Sequence, residues 1–135
     1  MKSHFICVDF DGTIVKHEYP RIGGAVPEAL DTLRRLQDAG HKIILFTMRC
    51  GKELDEAVEY LRDEGIELFG VNHNPTQSAW TNSPKVYGHI YIDDAGVGCP
   101  LSWDGHSRPF VDWDKVSKRL LYLIVDLPNE LEGRG

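Results

Sequence analysis

An α/β domain built on a parallel sheet is predicted by three features of the sequence. Short apolar runs rich in β-branched residues recur along the chain, amphipathic helical patterns separate them, and polar residues gather where the runs end. Runs of this kind suit strands covered on both faces. Their alternation with helices implies right-handed βαβ units, hence a Rossmann-like three-layer arrangement with helices on both faces of the sheet.

The first strand is "HFICVDF", nearly continuous in apolarity and therefore central. An irregular stretch with Gly, Pro and charge follows and forms a flap over 12–26, ending where Pro27 suits the first position of a helix. In "PEALDTLRRLQDA" the residues Ala29, Leu30, Leu33 and Leu36 share one face, and Gly40 terminates the helix. "HKIILFT" is a second buried strand. "GKELDEAVEYLRDEG" is a second helix that turns Leu54, Ala57, Val58 and Leu61 inward. "IELFGV" makes a third strand, the loop "NHNPTQSAWTNSP" follows, and "HIYID" makes a fourth. A Gly/Pro-rich stretch, "AGVGCPLSWDGHSRPF", leads to a last helix, "DWDKVSKRLLYLIVDL", with Asp112 as N-cap. The 135 residues, 41% hydrophobic, fit one domain over 1–127, with a flexible tail at 128–135.

Bulk charge narrows the function. A net charge of -6 without a Lys/Arg run gives no footprint for gripping a nucleic-acid backbone. Cys7, Cys50 and Cys99 form neither a zinc knuckle nor a disulfide framework, which points to a reducing cytoplasm. The N-terminal apolar run stops at Asp9, too soon for a signal peptide, and "LLYLIV" is too short to span a bilayer, so no membrane partner is expected.

Ligands of open parallel sheets collect at the carboxyl ends of the strands. Asp9, Asp11, Thr47, Asp93 and Asp94 all stand at such ends. Residues two apart in a strand face the same side, so Asp9 and Asp11 share a site while Phe10 turns to the core and Gly12 lets the chain leave sharply. Four acids in one crevice are unstable alone: like charges about 4 Å apart repel by about 4 kcal/mol at an effective dielectric near 20. Protons or a cation must join them. Oxygen-only ligands favour a hard ion, and Mg²⁺ fits best. Taken singly, a D-x-D is a polar turn, Thr47 a turn residue and Lys85 a surface lysine. Their order and placement give them weight.

"DFDGT", the hydrophobic strand ending in Thr47, Lys85, and "IDD" resemble motifs one to four of the haloacid dehalogenase (HAD) superfamily, in order and over most of the chain. The spans between Thr13 and Pro27 and between Gly65 and Lys85 are too short for a large cap domain, so the chain resembles small capless members. The resemblance implies a Mg²⁺-dependent phosphatase in which Asp9 attacks phosphorus and Asp11 serves as acid and base. It assigns the metal to Asp9, the Asp11 carbonyl and the Asp93/Asp94 pair, with Asp94 the favoured direct ligand. Thr47, Lys85 and the backbone amides of Phe10 to Gly12 would then stabilise phosphoryl charge. Many relatives carry a further acid four or five residues on, where this chain has Val97, Gly98 and Cys99, leaving metal support to the adjacent pair.

Substrate recognition falls to the flap, to the loop between Ala95 and Phe110, and to Arg49, which lies near a helix N-terminus that favours anions. His17 and Arg21 would meet the leaving group, although a solvated hairpin explains both equally well. A small phosphorylated metabolite is the expected partner, and a homo-oligomer that completes the site from a second subunit stays open. A receiver-type phosphoacceptor and a non-catalytic HAD-fold binding module are the alternatives. Receivers, however, place their phosphorylated Asp on the third strand, here "FGVN", and their Lys last. "CGKELDEA" lacks the Arg of a cysteine phosphatase, and no P-loop occurs.

Overall fold

The computed structural model describes residues 2–125 and contains one four-stranded parallel sheet. Its strands are β1 (Phe5–Val8), β2 (Lys42–Leu45), β3 (Leu68–Val71) and β4 (Ile90–Ile92), in the order β3-β2-β1-β4. The predicted central strand is central, in register with Lys42–Leu45 on one side and Ile90–Ile92 on the other. Helices α1 (Ala29–Asp38) and α2 (Gly51–Asp63) join β1 to β2 and β2 to β3. Both crossovers step in the same direction along the sheet, so right-handedness puts both helices on one face.

Side-chain alternation along the strands divides the interior. Ile6, Val8, Ile43 and Leu45 face the main core with Leu33 and Leu36 of α1 and Ala57 and Leu61 of α2. Trp113, Val116 and Leu123 join them from α3 (Trp113–Arg119) and α4 (Leu121–Ile124). The opposite face carries Cys7 and Ile44, covered by Val86 and flanked by Phe5 and Phe69. The expected third layer is therefore different: among the described residues this face is covered by the 72–89 crossover, whose regular structure is a single 3-10 turn at Gln77–Ala79. The reason is compositional. "NPTQSAWTNSP" has no apolar stripe for a helix to bury, and it satisfies its polar groups internally, as Gln77 does by bonding Ser83 O, Lys85 O and Tyr87 N.

Three local expectations shift. The first helix begins at Ala29, because Glu28 adopts a left-handed φ of 68° instead of continuing back to Pro27. The last helix is capped by Asp112, whose carboxylate accepts from Lys115 N, but it breaks at Leu120 into α3 and α4. Its expected final turn and the 128–135 tail lie outside the described residues. The Gly/Pro-rich stretch holds a small hairpin, β5 (Leu101–Ser102) against β6 (Phe110–Val111). No helix among the described residues is long and apolar enough to cross a membrane.

Candidate active site

The carboxyl ends of β1, β2 and β4 open into a cavity of about 490 Å³ lined by Asp9, Asp11, Thr47, Asp93 and Asp94. Asp9 N donates to Ile92 O at 3.0 Å, which extends the β1–β4 ladder and holds Asp9 beside the end of β4. Carboxylate oxygens of Asp9, Asp93 and Asp94 come within 4.8 Å of one another. The donors are all hard oxygens, the set that suits Mg²⁺. Burial, then the Asp93 charge and a hydrogen bond with Asp94, push Asp9 up to about 8; burial likewise raises Asp93. A cluster that retains protons so far above the ordinary carboxylate range is one a cation would relieve.

Thr13, the last residue of "DFDGT", organises this cluster. Its hydroxyl donates to Asp9 Oδ2 at 3.0 Å and accepts from Asp94 N at 3.2 Å. Gly12 is required by its backbone: φ is +81°, and a Cβ there would collide with the His17 ring and the Asp94 carboxylate. Its amide, expected to face phosphate, instead donates to Val15 O at 2.7 Å and closes the base of the flap. Phe10 is fully buried, and its backbone amide favours the ionised form of the Asp9 carboxylate.

Asp11 and Arg49 form the most connected pair. Arg49 Nε and Nη2 donate to the two Asp11 oxygens at 2.8 and 2.7 Å, a two-pronged fork whose side chains are 1% and 17% exposed. Its remaining donors reach Pro20 O, Glu53 O and Arg21 O, and the guanidinium lies between the Phe10 and Tyr19 rings. A guanidinium has five N–H donors, and all are committed. Arg49, expected to bind substrate, lines the cavity, and with its donors engaged it anchors the flap and α2 to Asp11. Arg21 contributes its carbonyl to that anchor, while its exposed side chain is not part of the cavity lining.

Thr47 lines the cavity with its amide donating to Asn72 Oδ1 at 2.8 Å and its hydroxyl accepting from Arg49 N, which leaves the hydroxyl proton for an anion. Asn72 was concealed in a polar loop; its left-handed φ of 52° and position just past β3 are the signals that only the fold reveals. His17 does enter the site, with Nε2 2.9 Å from Asp94 Oδ2. Lys85 does not. It is exposed, its ammonium 5.4 Å from the Tyr91 ring, and it is absent from the cavity lining. Exposed Tyr19, Met48 and Arg108 line the mouth.

Among solved structures, the chain is similar to the conserved protein coded by a locus from Bacteroides thetaiotaomicron. The two are 37% identical, the match covers 90% of this chain and 92% of that one, and the TM-score is 0.74. No family model and no curated protein matches the chain.

Proposed function

We propose that this chain, which belongs to one family with the conserved protein coded by a locus from Bacteroides thetaiotaomicron, is a Mg²⁺-dependent phosphohydrolase of haloacid dehalogenase type that cleaves small phosphomonoesters. The observation that carries the reading is the convergence of Asp9, Asp93 and Asp94 beside Asp11 and Thr47 in one cavity. Asp9, Asp93 and Asp94 would hold the ion, which supplies charge neutralisation for the attacking carboxylate and the phosphoryl oxygens.

Asp9 must be ionised to act as nucleophile, and since burial and its acidic neighbours favour the protonated form, a cation would favour the form that reacts. The ionised carboxylate attacks phosphorus in line, forming an acyl-phosphate P–O bond as the bond to the leaving oxygen breaks. Asp11 delivers a proton to that oxygen. Asp11 then takes a proton from water as the water oxygen bonds to phosphorus, and the Asp9–P bond breaks to give inorganic phosphate. Thr47 donates its hydroxyl to a phosphoryl oxygen. The Arg49 fork holds one lone pair of each Asp11 oxygen, so both proton transfers run through the lone pairs it leaves.

The engagement of Asp11 by Arg49 is the specific observation favouring a second reading, an anion-binding module without turnover. An assay of aryl and metabolite phosphates with Mg²⁺ and with chelator separates the two. The hydrolase reading expects chelator-sensitive phosphate release that Asp9→Asn abolishes. Absence of release from every compound tried would leave the binding module.

A further inference from the structure

A site that handles a phosphoryl dianion beside four carboxylates needs positive charge from the protein as well as from an ion. The residues that the resemblance and the strand-end position single out for this are both engaged elsewhere. Arg49 has all its donors spent on Asp11 and three carbonyls. Lys85 rests over Tyr91, outside the cavity lining. Arg108 lines the cavity, is exposed, and among the described residues has no ion-pair partner.

The loop that carries Arg108 is built to hold it there. Asp104 Oδ1 accepts from the amides of His106 and Ser107 at 2.8 and 2.9 Å, and Trp103 Nε1 donates to Ser107 O at 2.6 Å. Lys16 of the flap donates to Asp104 Oδ2 at 2.9 Å and stands over the Phe110 ring. At the end of the hairpin, Val111 N donates to Gly12 O at 3.0 Å, one residue from Asp11. The hairpin is therefore fastened to the flap at both its tip and its base. Its arginine is a planar donor fork matched to phosphate oxygens.

We infer that Arg108 is the phosphate-gripping cation of this site, presented by the β5–β6 hairpin in the place that the resemblance gives to Lys85. The inference rests on the phosphoryl-site reading but not on turnover. Arg108 takes two non-bridging oxygens of the phosphoryl group from the mouth side, while the acid cluster and its ion take the opposite side. The chemistry recognised is a phosphate dianion, and the same contact holds the product before release.

Isothermal titration of inorganic phosphate into the full chain with Mg²⁺ tests this with exposed-residue variants. Arg108→Ala is expected to weaken binding at least tenfold, Arg108→Lys to recover part of it, and Lys85→Ala to stay within twofold of the parent. All three should melt within about a degree of the parent, since neither side chain is buried. Binding by Arg108→Ala within twofold of the parent overturns the assignment, as does a loss in Lys85→Ala equal to or larger than that in Arg108→Ala. A parent that binds no phosphate with Mg²⁺ overturns it as well. A parent that binds phosphate through Arg108 yet hydrolyses no phosphomonoester leaves the assignment standing and removes the hydrolase reading alone.

Discussion

Asp9 sits where its surroundings oppose its ionised form. Burial and two acidic neighbours push its pKa up to about 8, and Thr13 supplies the one side-chain hydrogen bond that favours the charged form. Under the hydrolase reading Asp9→Asn should abolish turnover while leaving the metal-free fold intact, or stabilising it by about 1 kcal/mol, since an amide has no proton to take up on folding and its oxygen can still accept from Thr13. Urea unfolding of the chelated protein reads this directly. Marked destabilisation would mean that the carboxylate is a structural partner rather than a strained one. Arg49 is the opposite case, a buried charge whose every donor is matched. Arg49→Met leaves Asp11 and three carbonyls without it and should cost about 3–5 kcal/mol, and Arg49→Lys should recover only a part, because an ammonium cannot fork across both oxygens. A melting temperature unchanged in Arg49→Met would remove the anchor role.

At the scale of elements, the flap is positioned by pieces far away in sequence. Trp113, the first residue of α3, is buried and donates from Nε1 to Thr13 O at 2.7 Å across 100 residues. The bond fixes the C-terminal helix against the turn that holds Asp9, Asp11 and Thr13. Trp113→Phe keeps most of the apolar volume but strands that carbonyl, with an expected loss of about 1–3 kcal/mol in denaturant unfolding and faster amide exchange at Thr13 to Val15. Exchange that stays at parental rates there would show that the flap base is held without Trp113, by backbone hydrogen bonds such as those to Phe10 O. The 72–89 crossover shows the complementary behaviour: an element with no amphipathic period becomes an ordered loop by satisfying its polar groups through Asn74 and Gln77, both buried.

For the whole molecule, the acid cluster couples stability to pH and to metal. Asp9 titrates near 8 in the folded chain and near 3.8 when unfolded, so over that window the folded state holds a proton that the unfolded state has released. Stability of the metal-free protein should fall as pH rises from about 4 to about 8, with Asp93 adding in the same direction. Under the proposed function Mg²⁺ would displace those protons, and at a hundred times its dissociation constant it would add about 2.7 kcal/mol. Calorimetry at pH 5 and pH 8, with chelator and with Mg²⁺, should show a larger metal-induced rise in melting temperature at pH 8. Asp9→Asn should flatten most of the pH slope. An equal rise at both pH values would count against Asp9 as a metal ligand.

Much of this was legible from local pattern. Strand, helix and site-bearing strand ends follow from periodicities of two and 3.6 that a linear sequence displays, which is why β1 to β4, α1 and α2, and the gathering of Asp9, Asp11, Thr47, Asp93 and Asp94 were all foreseeable. Contacts between distant residues have no such period. That Arg49 is consumed by Asp11, that Lys85 stands over Tyr91, that Asn72 and Trp113 brace the site, and that loops rather than helices cover one sheet face were decided by which polar groups met when the chain closed on itself. A buried donor must find an acceptor somewhere, and only the tertiary structure fixes which one.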